Sequence, residues 1–525
     1  MPDEQLQKYP IAVAGPGVIK SLPPYLLPKE AFQDVKNARF LNGVLSKVPG
    51  WTKFDAQQLA GTDIMAIDQF FLTTGSDFLM VITLTTMYKW DTTNNEFDSL
   101  NGTAFTGDRD ALFSTETAFD LFLATNGVDT LKQWDGAAAT FTALGGMTTA
   151  EPLDGTPPII ITAVKCVRFF KNFVVILNFK ENGTTKPFRA RWCVISTPGT
   201  WINAAGVGQA GAADVGTVDW IVTAERLGDT LAIYKERSIW LMSYVGLPDI
   251  FNFRERISGL GILGQKAIAN FGDEHLFVGN DDIYFFNGES IEPVGDPIRR
   301  YLFDNMNPLY SARTTIFVAE EENEAIIAFA STASSGNFDK CLVYNYLEKT
   351  WSIREIAASA FGYYRRSEDL AWEDDSGSWD NSIYPGTWDE RNYLDNSPIN
   401  LIGDASGYVH QLTGLTKDGA ALELVVTSKL HDFGYSDVFK RLWRLQLLVK
   451  RGGNYTMTVE VGTSENIDDD PVWTTISSFN LSTGKPFIDV DIAARFFTFR
   501  FTLGGTQQDV GLAGYIPYFT MEGER

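Results

Sequence analysis

Along most of this chain a short apolar run meets a polar turn, and a second run then ends in an aromatic residue, often followed by Asp or Asn and Gly. That loose repeat constrains the fold more than any single motif. Its clearest copies are MVITLTTMYKWD, LFLATNGVDTLKQWDG, LAIYKERSIWLM and LFVGNDDIYFFNG. With Trp90, Trp134, Trp192, Trp240, Phe286, Tyr344 and His410 as anchors, the steps are 44, 58, 48, 46, 58 and 66 residues. A period near ~40–50 residues with a hairpin in each unit is the mark of a β-propeller. One four-stranded blade cannot bury both its faces alone, and a ring of stacked blades buries them and protects most edges. Seven anchors predict about seven blades, with the longer steps as insertions between strands.

From about residue 420 the pattern changes. ELVVTSKL, KRLWRLQLLVK, YTMTVEVGT, PFIDVDI and RFFTFRFTL read as strands about 10–15 residues apart with frequent alternation, the pattern of an antiparallel β-sandwich. Helical periodicity is nearly absent, and the best short candidate is GDPIRRYLFDNM, around residues 295–306. The expected class is therefore all-β, a β-propeller of about seven blades followed by a C-terminal β-sandwich. The expected organisation is an extended N-terminal arm over 1–30, a propeller over 31–419 with an acidic, Trp-rich insertion at about 366–398, and a sandwich over 420–525.

Composition sets limits on function. The formal charge of −23 argues against a protein that wraps nucleic acid, which needs Lys and Arg to displace counterions. It is compatible with a surface past which nucleic acid must slide, because an acidic wall repels phosphate. Cys166, Cys193 and Cys341 lie far apart and give neither a disulfide framework nor zinc spacing. The N-terminal MPDEQLQKYP lacks a basic segment followed by an apolar core, so no signal peptide is expected, and no apolar run approaches the ~18 residues of a membrane span.

Several stretches resemble chemical motifs. GVGQAG (Gly206, Gly208, Gly211) and GLGILG (Gly259, Gly261, Gly264) match a dinucleotide fingerprint in letters, but neither opens a helical stripe. His275, His410 and His431 show no metal-pair spacing, and no G-x-S-x-G marks a nucleophile. Asp468, Asp469 and Asp470 lack the alternating loop and distal Glu of a calcium site. The segment AWEDDSGSWDNSIYPGTWDERNY joins Trp372, Trp379 and Trp388 to Asp374, Asp375, Asp380 and Asp389. Paired acids beside aromatics suit a glycosidase, yet catalytic carboxylates sit on rigid, separated elements rather than one Ser/Gly-rich segment. An assembly or lumen loop is the expected role, and no catalytic residue, cofactor or metal is expected.

The N-terminal AGPGVIKSLPPYLLPKEAFQDVKNARFLNGVLSKVPGWTKF carries a proline-rich lead and an N-x-R-F-x-x-G-x-x-x-K-x-P-G-W pattern: Asn37, Arg39, Phe40, Gly43, Lys47, Pro49, Gly50 and Trp51. It resembles the start of the tail nozzle, tail hub or DNA stabilisation proteins of short-tailed (podovirus) phages. GLGILGQKAIANFGDEHLFVGNDDIYFFNGESIEPVGDPIRRYLFDNMN, the Trp-Asp segment at 372–391 and the C-terminal RFFTFRFTLGG…GYIPYFTMEGER are similar to further parts of that family. The resemblance implies a virion structural protein, a homohexameric ring below the portal and adaptor. It would continue the DNA channel, support genome retention and ejection, and attach fibres or a tip. It would be assembled in the host cytoplasm. The proline-rich lead has little local structure of its own and is expected to run extended along a neighbour. The rival expectations are a receptor- or glycan-binding tail protein, with the three tryptophans stacking on sugars, and a propeller glycosidase using Asp380 and Asp389.

Overall fold

Alternating apolar runs and tight polar turns build seven four-stranded antiparallel blades in the computed structural model. It describes residues 6–13, 15–147, 160–201, 209–365, 398–451, 453–482, 487–506 and 508–523. Blade 1 holds Ile64–Phe71, Asp77–Thr83, Met87–Asp91 and Glu96–Gly102. Blade 2 runs from Ser114–Ala118 to Thr140–Ala143, blade 3 from Ile161–Phe170 to Gly211–Asp214, and blade 4 from Ile221–Leu227 to Ile250–Ser258. Blade 5 runs from Ile268–Asn270 to Ile291–Pro293, and blade 6 from Thr315–Ala319 to Thr350–Arg354. Blade 7 takes only Ala360–Tyr364, Ile399–Gly403 and Val409–Gln411 from its own stretch. Its fourth strand is Thr52–Lys53, paired as His410↔Lys53 and Gln411↔Thr52. The ring is thus closed by a strand from the other end of the chain, and the first strands of blades 7 and 1 pack together.

All seven sequence anchors fall on the third strand of their blades. Trp134, Trp192, Phe286, Tyr344 and His410 are buried there. An aromatic at this position fills the wedge between neighbouring blades, which is why the repeat is visible in letters. The expected helix is Arg299–Asn305, followed by a 3₁₀ turn at Pro308–Arg313, and both lie between blades 5 and 6.

The C-terminal sandwich packs two sheets over a core that includes Leu442, Leu445, Phe497, Phe499, Tyr515 and Phe519. One sheet orders Ala38–Leu41, Val44–Lys47, Gly511–Gly523, Phe439–Arg451 and Phe487–Ala494, with Gln7–Lys8 and Ile11–Ala12 also paired to Gly511–Gly523. The other orders Phe32–Lys36, Leu424–Ser428, Phe496–Leu503, Thr456–Ser464 and Val472–Asn480. It continues blade 6 through the parallel pair Lys36↔Ile353.

One expectation changes. The propeller does not begin at residue 31, because Phe32–Lys36, Ala38–Leu41 and Val44–Lys47 belong to the sandwich sheets. Phe32–Lys36 pairs with Leu424–Ser428 and Val44–Lys47 with Gly511–Gly523, partners far along the chain and beyond the reach of local periodicity. Parts of the N-terminal arm are paired within the chain: Gln7 opposes Phe519, Ile11 opposes Tyr515, and Lys429 donates to the Leu27 carbonyl at 2.7 Å.

Candidate functional site

The motif residues meet at the seam between propeller and sandwich. The Asn42-Gly43 pair turns the hairpin between Ala38–Leu41 and Val44–Lys47, with φ of 51° and 70°, the left-handed pair that a two-residue hairpin needs. Asn37, also left-handed at φ 54°, is buried and ties three places together. Its side chain donates to the Glu423 carbonyl at 2.8 Å and accepts from the Glu355 amide at 3.0 Å, and its own amide donates to the Ile353 carbonyl at 2.9 Å. Phe40 packs on Phe32 with ring centroids 5.7 Å apart, and Lys47 is buried.

Gly50 and Trp51 then lead into the closing strand. The Gly50 amide donates to the Gly414 carbonyl and the Trp51 amide to the Thr416 carbonyl, both at 2.8 Å. A Cβ on Gly50 would stand 1.9 Å from the Thr416 oxygen, so only glycine fits. Trp51 is buried against blade 6 and 7 residues that include Phe317, Val343 and Ile402.

Beside this seam the motif residue Arg39 joins charges that the sequence reading did not single out. Arg39 pairs with Glu322 at 2.9 Å. Arg354, fully buried, donates to the Pro49 carbonyl, and two of its guanidinium nitrogens have no hydrogen-bond partner. Glu324, 1% exposed, leaves one carboxyl oxygen without a partner. Burial pushes the Glu324 carboxyl up to about 7, Glu322 adds to the rise, and Arg39 and Arg354 oppose it. The signal in the sequence is a lone charge inside an apolar strand, as with Arg354 in TWSIR. A cavity of about 290 Å³ opens beside the same seam, lined by Arg39, Lys47, Pro49, Gly414 and Asp509 among others.

A second charged cluster sits at the propeller axis. Asp68, Glu116, Arg168 and Glu225 lie on the first strands of blades 1 to 4, and Lys266 lies just before that of blade 5. Arg168 pairs with Glu225 at 3.2 Å and donates to the Ser114 hydroxyl at 2.9 Å. Burial raises Asp68 despite a hydrogen bond from Thr115 and the charge of Lys266, and it pushes Glu116 up to about 7 against the pull of Arg168. Burial lowers Lys266, with Arg168 adding to the effect. Asp68 and Lys266 act on each other from blades 1 and 5, so charges from different blades belong to one cluster.

The other sequence motifs resolve into structure. The insertion residues Trp372, Asp374, Asp375, Trp379, Asp380, Trp388 and Asp389 lie outside the described residues, between the first and second strands of blade 7. Gly206 and Gly208 also lie outside them. Gly261 and Gly264 pack backbone against backbone, where a Cβ would stand 2.1 Å from the Glu236 oxygen and 2.3 Å from the Ala312 oxygen. They do not open a helix. His275 is a satisfied core side chain, 2.8 Å from both the Tyr234 hydroxyl and the Arg226 carbonyl. His410 contacts Asp404 at 3.1 Å and His431 the Tyr515 hydroxyl at 3.2 Å, so the three histidines stay apart. Asp469 accepts from Asn466 in a turn, and all three cysteines are buried and free. Among the described residues no group of His, Cys, Asp and Glu has metal-binding geometry.

No family model and no curated protein matches the sequence. Solved structures to which the chain is similar include the extracellular domain of a hybrid two-component system from B. thetaiotaomicron, at 12% identity and a TM-score of 0.40 over 83% of this chain and 50% of that one. The chain thus spans about half the length of that structure. The Pan2 WD40 domain of Neurospora crassa is similar at 8% identity and 0.37, over 70% of this chain and 95% of that one. YCF48 from Cyanidioschyzon merolae is similar at 9% and 0.36, over 69% and 98%.

Proposed function

We propose that this chain is a non-enzymatic subunit of a short-tailed phage tail, a nozzle or hub. In this reading it closes into a homohexameric ring below the portal and adaptor, continues the DNA channel and carries fibres or a tip. The seam is the observation that carries the reading. Asn37, Arg39, Gly50 and Trp51, the residues that prompted the resemblance, fasten the closing strand of the propeller to the sandwich. A subunit locked this way transmits load between its two parts without bending at a linker.

The axis cluster supports a lumen between copies rather than through each propeller. Charges from the first strands of blades 1 to 4, together with Lys266, crowd the propeller axis with buried groups that act on one another. Six copies at −23 each carry −138, and the part of that charge facing the lumen would repel phosphate and limit sticking. Negative-stain electron microscopy of the purified protein, alone and with its adaptor, tests this. The reading predicts six-fold rings with an open centre. A particle that stays monomeric under both conditions overturns it.

A further inference from the structure

Charge is distributed unevenly around the propeller. Residues 160–258, which make blades 3 and 4, hold twelve Lys and Arg against eight Asp and Glu, a net of +4 in a chain of −23. The remainder therefore carries −27. Residues 52–147, which make blades 1 and 2 and the closing strand, hold four bases against thirteen acids, a net of −9.

At one end of blades 3 and 4 the basic region surrounds an apolar centre. Val218 is 83% exposed and Trp220 is 54% exposed. Two large apolar side chains two residues apart thus open to water on one loop. This loop is also held firmly. Lys235, fully buried, donates to the carbonyls of Val215 and Thr217 and pairs with Asp219 at 2.9 Å. The Asp219 carboxylate also accepts from the Ser238 hydroxyl at 2.9 Å, and the Trp220 carbonyl accepts from the Glu236 amide at 3.1 Å.

Strand register brings basic side chains to the same end. Asn178, on the second strand of blade 3, donates to the Ile221 carbonyl at 2.8 Å, which places the exposed Lys180 and the neighbouring Lys186 beside the start of blade 4. Arg237 is exposed on the turn next to Trp220, and Arg256 sits at the bulge opposite Ile239 and Trp240. None of these four cations makes an ion pair among the described residues, whereas Arg189 and Arg191 of blade 3 are both paired with Glu181. A rigid aromatic anchor within a ring of unspent charge is the make-up of a binding hot spot.

We propose that the Val218–Trp220 face, framed by Lys180, Lys186, Arg237 and Arg256, docks onto the acidic blades 1 and 2 of a second copy of this chain. The inference rests on the ring reading and names the contact that would build the ring. Charge complementarity selects the occupant. The same chain supplies in blades 1 and 2 a region whose exposed acids include Glu96, Asp108 and Asp135, and two different patches meeting head to tail generate a ring where the rotation closes. A nucleic acid meeting this patch would face the repulsion of the remaining −27.

Sedimentation velocity of the full chain tests the contact, using wild type, the pair Val218→Ser with Trp220→Ser, and the pair Lys180→Glu with Arg237→Glu. All four side chains are exposed or half open, so thermal midpoints serve as the folding control. The expected result is that wild type forms rings and each double variant needs at least a tenfold higher concentration to assemble, with an unchanged midpoint. Rings formed by both variants at wild-type concentrations overturn the docking face and leave the ring reading standing. A wild type that never assembles overturns both. Fluorescence anisotropy with a single-stranded oligonucleotide supplies the other arm: variants that assemble normally but lose oligonucleotide binding overturn the proposal in favour of a nucleic-acid patch.

Discussion

Six of the seven blades take their four strands from consecutive stretches of chain, whereas the sandwich gathers Gln7–Lys8, Phe32–Lys36 and Val44–Lys47 with strands beyond residue 424. The propeller thus has mostly local contacts and the sandwich mostly distant ones. The two modes meet at Trp51 and Thr52–Lys53, where the sandwich's N-terminal strands end and the propeller's closing strand begins. The difference teaches where the molecule is vulnerable. A defect inside one blade stays local, while a defect at the seam opens the ring and unpins the sandwich together.

The largest effect is expected at Gly50. In Gly50→Val the new side chain would collide with the Thr416 backbone at the point of closure. We expect a loss above about 4 kcal/mol, read as the collapse of the cooperative denaturant transition. An unchanged midpoint would separate ring closure from the seam and break the comparison.

Arg354→Met comes next. It removes a buried cation that serves Pro49 and acts on Glu322 and Glu324, leaving Arg39 alone to balance them. A cost of about 3–5 kcal/mol is expected from urea unfolding. A gain in stability would mean that the seam tolerates an apolar filling.

A third effect depends on pH. Glu324 holds its proton to about 7 in the fold but titrates near 4.5 in the unfolded chain. Between those values folding takes up a proton, so this group makes stability fall as pH rises, with the penalty complete above about 7. The shift is worth on the order of 3 kcal/mol. Glu324→Gln should flatten the decline between pH 5 and pH 8, and a parallel pH profile in the variant would remove Glu324 from the account.

The smallest effect is expected on the open face of the sandwich. Arg444 and Asp489 pair at 2.9 Å with both side chains largely in water. Arg444→Ala should change stability by less than about 0.5 kcal/mol. A larger loss would mean that this surface is covered in the assembled protein.

The blades were legible in the sequence because each one repeats the same local problem. An aromatic on the third strand has to fill the wedge, so Trp90 through His410 mark every blade. The N-terminal boundary was not legible, since Phe32–Lys36 reads like any other strand and its partner Leu424–Ser428 is remote. The motif residues Asn37, Arg39, Gly50 and Trp51 stood out as a pattern, but what they join was visible only once the strands were paired. Arg354, Glu324 and the axis charges left only a faint trace, single charges in apolar runs, because their neighbours come from other blades.

If the N-terminal segment makes propeller and sandwich one body, the two should open together in hydrogen exchange read by mass spectrometry. Peptides covering Val44–Lys47, Thr52–Lys53, Val409–Gln411 and Gly511–Gly523 are expected to share one slow opening rate, and Gly50→Val to speed all of them together. Sandwich peptides that open freely while the blade 7 peptides stay protected would contradict it.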